Sequence, residues 1–241
     1  DIEQLRKTYG LDQPLLVQYG LWLKEVIAGN LGQSIFLQRP VLTAIGERAE
    51  PTFFLALFSI LIASLIGIPA GIISAVWRGG RSDQAVSAGA MLAASIPSFW
   101  LGLLFIQFFS VTLGWFPVAG YGDPGAPLAQ RLYHLILPAT VLGIVNSALI
   151  TRFTRASMLD VLSEDFVRTA RAKGLSESRI VLRHALGNAL VPIITVVGLT
   201  AALLVGGAII TETVFGLPGI GNLVVSAVLR RDYPVIQGAL I

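Results

Sequence analysis

Residues 163–192 read SEDFVRTARAKGLSESRIVLRHALGNALVP, a basic and helix-forming stretch that lies between two long apolar runs. Seven of the 17 Lys and Arg residues of the chain fall between Arg152 and Arg183. Each charge costs roughly 2.5–3.5 kcal/mol to place at the centre of a bilayer, so this basic block must lie outside the membrane.

The runs around the basic block are long enough to cross a bilayer, which takes about 20 apolar residues. Four segments contain no Asp, Glu, Lys or Arg: Thr52–Trp77, Val86–Gly114, Leu132–Thr151 and His184–Thr211. A mean hydropathy of +0.76 and a charged fraction of only 13% agree with them. The sequence therefore predicts an all-α, polytopic membrane protein with four complete spans and the start of another near Pro234.

The positive charges predict the orientation of these spans, because short loops rich in Lys and Arg stay in the cytoplasm. Arg78 and Arg81 lie in one such loop, and the basic block lies two connections later. Residues 1–50 and 115–131 are then external. Arg230 and Arg231 lie in a predicted external segment, against this rule. The orientation also leads us to expect a further span before Asp1.

The external segment 1–50 has a helical pattern of its own. Apolar residues repeat at helical spacing from Leu15 to Ile27, which predicts an amphipathic helix lying on the membrane surface or packed on the rest of the protein. Gly29 ends that helix, and Pro40 opens a short helical elbow that should end near Pro51.

Small residues inside the spans indicate close helix packing. Two stripes repeat every fourth residue: Gly67 with Gly71, and Ala85 with Gly89 and Ala93. Pro69 and Pro97 interrupt apolar runs, which predicts kinks or breaks in those helices.

Few polar side chains lie at membrane depth: Gln107, Asn146, Ser147, Thr195 and Thr200. They fit either hydrogen bonds between helices or the lining of a path. No acidic residue lies in the middle of a span, which disfavours a self-contained proton- or sodium-coupled carrier. A membrane-embedded enzyme would need paired titratable groups deep within the spans, and the four uncharged runs contain no such pair. The two histidines do not have the spacing of a metal site, so a metal-dependent enzyme is not expected. The three lysines never follow glycine in a phosphate-binding loop, so ATP hydrolysis by this chain is not expected.

The basic block itself predicts two short helices joined by a glycine turn. Ser163 is placed to cap a helix with acidic residues in its first turn and basic residues in its last turn. Gly174 fits the left-handed position after that helix, and Ser176 starts a second helix that leads into the next span. Such a rigid projection is suited to docking a partner, although a basic loop that only fixes topology and touches anionic lipid has a similar composition.

The run FVRTARAKGL at 166–175, followed by His184, Ala185, Asn188 and Pro192, resembles the EAA loop of binding-protein-dependent ABC transporter permeases. Three longer stretches resemble the di- and oligopeptide import branch, which includes nickel and glutathione permeases: TYGLDQPLLVQY at 8–19, FTRASMLDVLSEDFVRTARAKG at 153–174, and TETVFGLPGIG at 211–221. Arg168, Thr169 and Ala170 occupy the place of the usual Glu-Ala-Ala.

This resemblance implies a type I importer permease, with a transmembrane domain at 51–241 and a cytoplasmic coupling loop at 152–190. It implies a coupling helix at 164–173 that docks on an ATPase subunit. The implied contact residues are Glu164, Phe166, Arg168, Thr169, Ala170, Arg171, Ala172, Lys173, Gly174 and Leu175. Phe166 would give apolar anchorage, and the cations would give polar contacts.

The resemblance also implies the partners of the chain. These are a second, similar permease, two cytoplasmic ATPase subunits that hold ATP and magnesium, an external solute-binding protein and the bilayer of a bacterial inner membrane. No cofactor of its own and no nucleic acid are expected. Residues 115–131 and 212–233 would face the binding protein.

Candidate path residues are Gln107, Asn146, Ser147, Thr200 and Glu212, although Glu212 fits a rim position equally well. The substrate stays open among dipeptides, oligopeptides, glutathione and nickel complexes. A self-contained secondary transporter is the remaining alternative.

Overall fold

The computed structural model describes residues 13–123 and 125–241, apart from the side chains of 205–207, and in this part of the chain the regular structure is helical. The first half contains α1 (Leu15–Ile27), α2 (Val41–Val76), α3 (Arg81–Ser95), α4 (Ser98–Phe105) and a π-helical segment (Ile106–Thr112). The second half contains α5 (Leu128–Leu162), α6 (Asp165–Ala172), α7 (Glu177–Arg179), a second π-helical segment (Ile180–Ala185), α8 (Leu186–Val214), α9 (Ile220–Arg230) and α10 (Tyr233–Leu240).

The chain divides into two compact units. The outer unit comprises the residues up to Ala49 together with Leu223–Ile241, and the helical bundle comprises Glu50–Asn222. Part of the TYGLDQPLLVQY stretch lies outside the described residues.

Helix α2 is longer than predicted. It begins at Val41 and runs without interruption through Pro51 and Pro69 to Val76. The predicted elbow that ends near Pro51 is therefore wrong. A proline removes one backbone donor, and a helix of 36 residues keeps enough hydrogen bonds on either side to continue past it.

The predicted span Val86–Gly114 is not one straight helix. Helix α3 ends at Ser95, and the chain restarts at Ser98 with a bend of 96°. Ile96 has an extended backbone, with ψ at 123°, as is usual for the residue before a proline. In the described part of the chain, three helices are long and apolar enough to cross a membrane, or four if this bent pair forms one span.

The first glycine stripe forms a close helix contact, as predicted. A Cβ atom on Gly71 would lie 2.5 Å from Cβ of Thr154, and one on Gly67 would lie 2.8 Å from Cβ of Ile150. Helices α2 and α5 can approach so closely only because these positions have no side chain. In the second stripe, a Cβ on Gly89 would meet nothing within 4 Å, so Gly89 forms no such close contact with the described residues.

The outer unit has a small core of its own, formed around Val41, Ala44, Leu223, Ala227 and Val235. Helix α1 is present where the sequence predicts it and buries none of its residues. Its apolar face is therefore not covered by the described chain, and Leu16 is 87% exposed.

A buried carboxylate organises the loop of the outer unit. Asp232 accepts hydrogen bonds from the Ser34 hydroxyl and from the backbone N–H of Ile35 and Phe36. The Arg230 guanidinium lies over the Phe36 ring, 3.6 Å from its centroid. Stacking on an aromatic ring gives this arginine a local structural role, which accounts for a cation in a predicted external segment.

Candidate functional site

The predicted coupling helix is present as α6, but it begins one residue later than expected. Glu164, with ψ at 150°, is the residue that precedes the first helical turn, and its side chain makes no capping bond. The Ser163 hydroxyl instead donates to the carbonyl of Asp160, at 2.7 Å, and so closes the preceding helix. The prediction that Ser163 caps α6 is therefore wrong.

The end of α6 is a glycine turn, as predicted. Gly174 has φ at +77°, and its N–H donates to the Arg171 carbonyl at 2.9 Å. The N–H of Leu175 donates to the Ala170 carbonyl at 3.3 Å. These two bonds form a Schellman motif, which needs a left-handed residue at the position of Gly174. The direction in which the chain leaves α6 is therefore fixed by the backbone.

One face of α6 is anchored on the protein. Val167 and Ala170 are buried with Ile180, and Leu162 and Leu175 pack against them. These residues come from the end of α5, from α6 and from the start of the second π-helical segment, so the projection is joined to both neighbouring spans through a small apolar core.

The rest of the α6 surface is exposed and carries the remaining predicted contact residues. Phe166 is 42% exposed although it is a large apolar side chain. Arg168 pairs with Asp165 at 3.1 Å. Glu164, Thr169, Ala172, Lys173 and Gly174 are exposed as well.

Arg171 does not point freely into solvent. Its Nε and Nη2 atoms donate to the Glu177 carboxylate at 2.8 and 3.3 Å, and this bonding raises the pKa of Arg171. The pair links α6 to α7 across the glycine turn. A direct contact of Arg171 with an ATPase subunit remains a prediction.

A π-helical segment, Ile180–Ala185, connects this projection to the long helix α8. Segments of this kind are often found at functional sites, and sequence patterns gave no indication of it. Along the chain, α6 is therefore connected to α8 through an irregular turn.

A half-buried ion pair joins the start of α3 to α5, and the sequence patterns did not predict it. Arg155 donates to both carboxylate oxygens of Asp83, at 2.8 and 2.9 Å. Asp83 also accepts from the Ser74 hydroxyl and from the N–H of Gly79 at 2.8 Å. This cluster ties the connection between α2 and α3 to α5. The sequence feature that could have revealed this ion pair is Asp83, an isolated acidic residue close to Arg78 and Arg81.

A second ion pair lies in the same bundle, at the start of α5. Glu50 accepts from the Tyr121 hydroxyl at 2.8 Å and from Nη1 of Arg131 at 2.6 Å. Burial, together with the bond to Glu50, raises the pKa of Tyr121 to about 12. The predicted external loop is thereby fixed to α2 and α5.

Three of the predicted path residues donate a side-chain hydrogen bond to a backbone carbonyl of their own helix. Asn146 donates to the Leu142 carbonyl, Ser147 to that of Ile144 and Thr200 to that of Val196, at 2.7–2.8 Å. Within the described part of the chain, these three side chains make no hydrogen bond to another helix. Gln107 is exposed. A path-lining role for them stays a prediction.

Glu212 is completely buried in the folded TETVFGLPGIG stretch. It accepts from the Thr52 hydroxyl at 2.6 Å and from the N–H of Asn222 at 2.9 Å. A side chain at Gly219 would overlap the carboxylate. Glu212 therefore holds the loop after α8 against α2, and its carboxylate does not open onto a path in this conformation.

Comparison with known proteins agrees with this architecture. Residues 67–241 match the family model described as "Binding-protein-dependent transport system inner membrane component". The chain is 46% identical over 240 residues to a glutathione transport system permease protein of Escherichia coli O6:H1, covering all of this chain and 76% of that protein. It is 42% identical, with 77% of the relative covered, to a probable peptide ABC transporter permease of Sinorhizobium fredii.

Solved structures support the fold. An inward-facing MetNI methionine ABC transporter matches with a TM-score of 0.62 and 21% identity, over 77% of this chain and 81% of that one. An amino acid ABC transporter matches with a TM-score of 0.60 and 14% identity, over 83% and 85% of the two chains. The architecture is that of a type I ABC importer permease. The chain thus belongs to the family of binding-protein-dependent transport system inner membrane components, as a multi-pass permease subunit of an ABC importer in the bacterial inner membrane.

Proposed function

We propose that this permease forms one half of a path for di- and oligopeptides or glutathione, and that α6 couples the path to ATP hydrolysis on a partner subunit. The observation that carries the coupling role is the partly exposed Phe166, which lies at the edge of the helix face that Val167 and Ala170 anchor on the protein. An exposed aromatic residue on a rigid base is well suited to fill an apolar groove of a partner.

The proposed assembly contains a second permease of the same family, two cytoplasmic ATPase subunits and an external solute-binding protein. ATP and magnesium would be held by the ATPase subunits. The movement that α6 receives would pass to the spans through its apolar core and the turn at Gly174.

The proposed substrate class follows from relatives at 42–46% identity, which are named as glutathione and peptide permeases. Glutathione is itself a tripeptide, so both names describe short peptide-like molecules with free carboxylates. A nickel complex remains an alternative within the same scaffold.

The experiment is reconstitution of the permease in lipid vesicles with the second permease, the ATPase subunits and the solute-binding protein of the proposed assembly. ATP hydrolysis and the uptake of peptide or glutathione are then measured in parallel. Phe166→Ala should weaken association with the ATPase subunits by about three- to eightfold. Full burial of a Phe side chain contributes about 1.5–3 kcal/mol, and the 42% of Phe166 that is exposed corresponds to about 0.6–1.3 kcal/mol of this. Gly174→Val should uncouple hydrolysis from uptake, since a β-branched residue is strained at φ +77°.

Gly29→Val is the matched control. Gly29 also has a positive φ, of +82°, and open space around it, but it lies in the outer unit. It should carry a similar backbone strain and leave coupling intact. If Gly174→Val and Gly29→Val have equal effects on coupling, or if uptake proceeds without ATP, the proposed role of α6 is wrong.

A further inference from the structure

A cavity of about 290 Å³ lies between α2, α3 and α5, beside the ion pair of Asp83 and Arg155. We propose that it binds the phosphate of an anionic phospholipid headgroup. Its volume is far above the roughly 10–15 Å³ that a single water needs, so it can hold a larger polar group. The inference rests on the cavity and on the inner-membrane location, and it does not depend on the proposed substrate.

The position of the cavity is the level at which lipid headgroups lie. Thr151 is the last residue of an uncharged run of α5, and Arg152 is the first cation after it. The apolar run of α2 ends in the same way, at Trp77, and Trp side chains favour the membrane–water interface. The bond from Asp83 to Arg155 shows that the start of α3 and this part of α5 lie side by side.

The charge of the cavity suits a phosphate. Arg152 and Arg155 both line it, and Asp83 compensates one of the two positive charges. Arg155 uses Nε and Nη2 for Asp83, so its Nη1 donors are left over. Arg152 has no ion-pair partner among the described residues, and it is exposed. A guanidinium binds phosphate oxygens through two parallel hydrogen bonds, which makes arginine the preferred residue for such a group.

The hydroxyl groups of the cavity narrow the choice of ligand atoms. Ser74 donates to Asp83, Ser87 donates to the same carboxylate at 3.4 Å, and Thr151 donates to the Ser147 carbonyl at 2.8 Å. Their donors are therefore used, and the arginine N–H groups are the main donors available to an anion. A headgroup oxygen that carries a hydrogen, as in the glycerol of phosphatidylglycerol, could donate in turn to the hydroxyl oxygens.

The remaining wall of the cavity is apolar, which favours a lipid over a soluble anion. Ala90 and Met91 line it, and Met91 is 66% exposed. Leu92, the next residue of α3, is 64% exposed. An acyl chain can lie along such a surface while its phosphate reaches the guanidinium groups. Basic pockets between membrane helices at the cytoplasmic face bind anionic lipid headgroups in this way.

The test measures which lipids stay bound to the full transporter complex. The complex is reconstituted in vesicles of equal parts phosphatidylcholine and phosphatidylglycerol and extracted in mild detergent, and retained lipid is quantified by mass spectrometry. The wild type should enrich phosphatidylglycerol. Arg152→Gln should reduce the enrichment about tenfold, the equivalent of one charge-assisted contact. Arg152→Lys keeps the charge and should retain most of it.

Arg183→Gln is the matched control, because it removes the same charge from the same cytoplasmic segment outside the cavity. It should change the enrichment by less than about twofold, as expected for an exposed charge. An equal loss in Arg152→Gln and Arg183→Gln would mean general attraction to anionic lipid and would overturn the site. Displacement of the bound lipid by inorganic phosphate would assign the cavity to a soluble anion instead. Unchanged enrichment in Arg152→Gln would also refute the proposal.

Discussion

Replacement of Gly71 by alanine tests whether close contact between α2 and α5 holds the bundle together. The added Cβ would lie 2.5 Å from Cβ of Thr154 and 2.7 Å from the carbonyl oxygen of Thr151. Normal carbon contacts are about 3.5–4.0 Å, so the helices would have to separate by about 1 Å. Neither neighbouring atom is the end of a flexible side chain, so the backbone itself must move.

The expected cost follows from this geometry. Overpacking of a tight interface costs about 1–3 kcal/mol. Alanine also stabilises a helix relative to glycine by roughly 0.5–1 kcal/mol, but Gly89→Ala brings the same gain without a contact. A Cβ at Gly89 has nothing within 4 Å, although it lies in the second small-residue stripe. The two variants should therefore differ by about 1–3 kcal/mol in free energy of unfolding, with Gly71→Ala the less stable.

The assay is reversible unfolding of the purified permease in mixed micelles with increasing sodium dodecyl sulfate, followed by circular dichroism or tryptophan fluorescence. The free energies are extrapolated to zero denaturant for both variants and the wild type. Equal free energies for Gly71→Ala and Gly89→Ala would refute the reasoning, because they would show that α2 and α5 are not in tight contact in the membrane protein.

Three further perturbations have defined outcomes. A double-mutant cycle of Asp83→Ala and Arg155→Ala should give a coupling energy of about 1–3 kcal/mol in thermal or denaturant unfolding. This energy is lower than for a fully buried pair because the Arg155 side chain is 32% exposed. If the effects of the two single substitutions simply add, the ion pair does not contribute to stability. Glu212→Ala should destabilise the bundle by about 2–4 kcal/mol, since the hydroxyl of Thr52 and the N–H of Asn222 lose a buried acceptor. Burial raises the pKa of Asp232, but the hydrogen bonds that its carboxylate accepts outweigh burial, so the net pKa in the folded state is lowered. The charged carboxylate therefore stabilises the fold fully above about pH 3.8, the value in the unfolded chain, and this stabilisation is lost as the pH falls through the lower pKa of the folded state. Asp232→Asn should therefore be less stable at neutral pH and less sensitive to acid, which a series of melting temperatures against pH would show.

The sequence predicted the helical class, the apolar runs and the glycine turn, because each depends on local chemistry. Gly174 and the charge pattern of the basic block identify a helix, a turn and a second helix without knowledge of any neighbour. The contact of Gly67 and Gly71 also followed from their spacing. The limits of the helices were predicted less well. Helix α5 continues to Leu162, well past Thr151, where the predicted uncharged span ends, since charge marks the membrane boundary and does not end a helix.

What the sequence could not predict depends on long-range packing. Pro69 lies within a continuous helix and Pro97 at a bend of 96°, and no local signal separates the two. The bond between Asp83 and Arg155 joins residues 72 positions apart, so only the fold brings them together. The sequence identifies the motif that contains Glu212, but it does not predict that the carboxylate is buried against Thr52 and Gly219. That burial depends on how α8 meets α2.

The self-contained hydrogen bonding of Asn146, Ser147 and Thr200 affects how the bundle can deform. Because each of these side chains is satisfied by its own helix, a small slide of one helix along another breaks none of their bonds. Resistance to such sliding at these three positions then comes from packing contacts and not from hydrogen bonds. The directional bonds between helices that Asp83 and Glu212 form lie near helix ends. At these positions, therefore, the bonds that a relative movement of the helices would break lie near the helix ends, whereas the polar groups at mid-depth keep their bonds during such a movement.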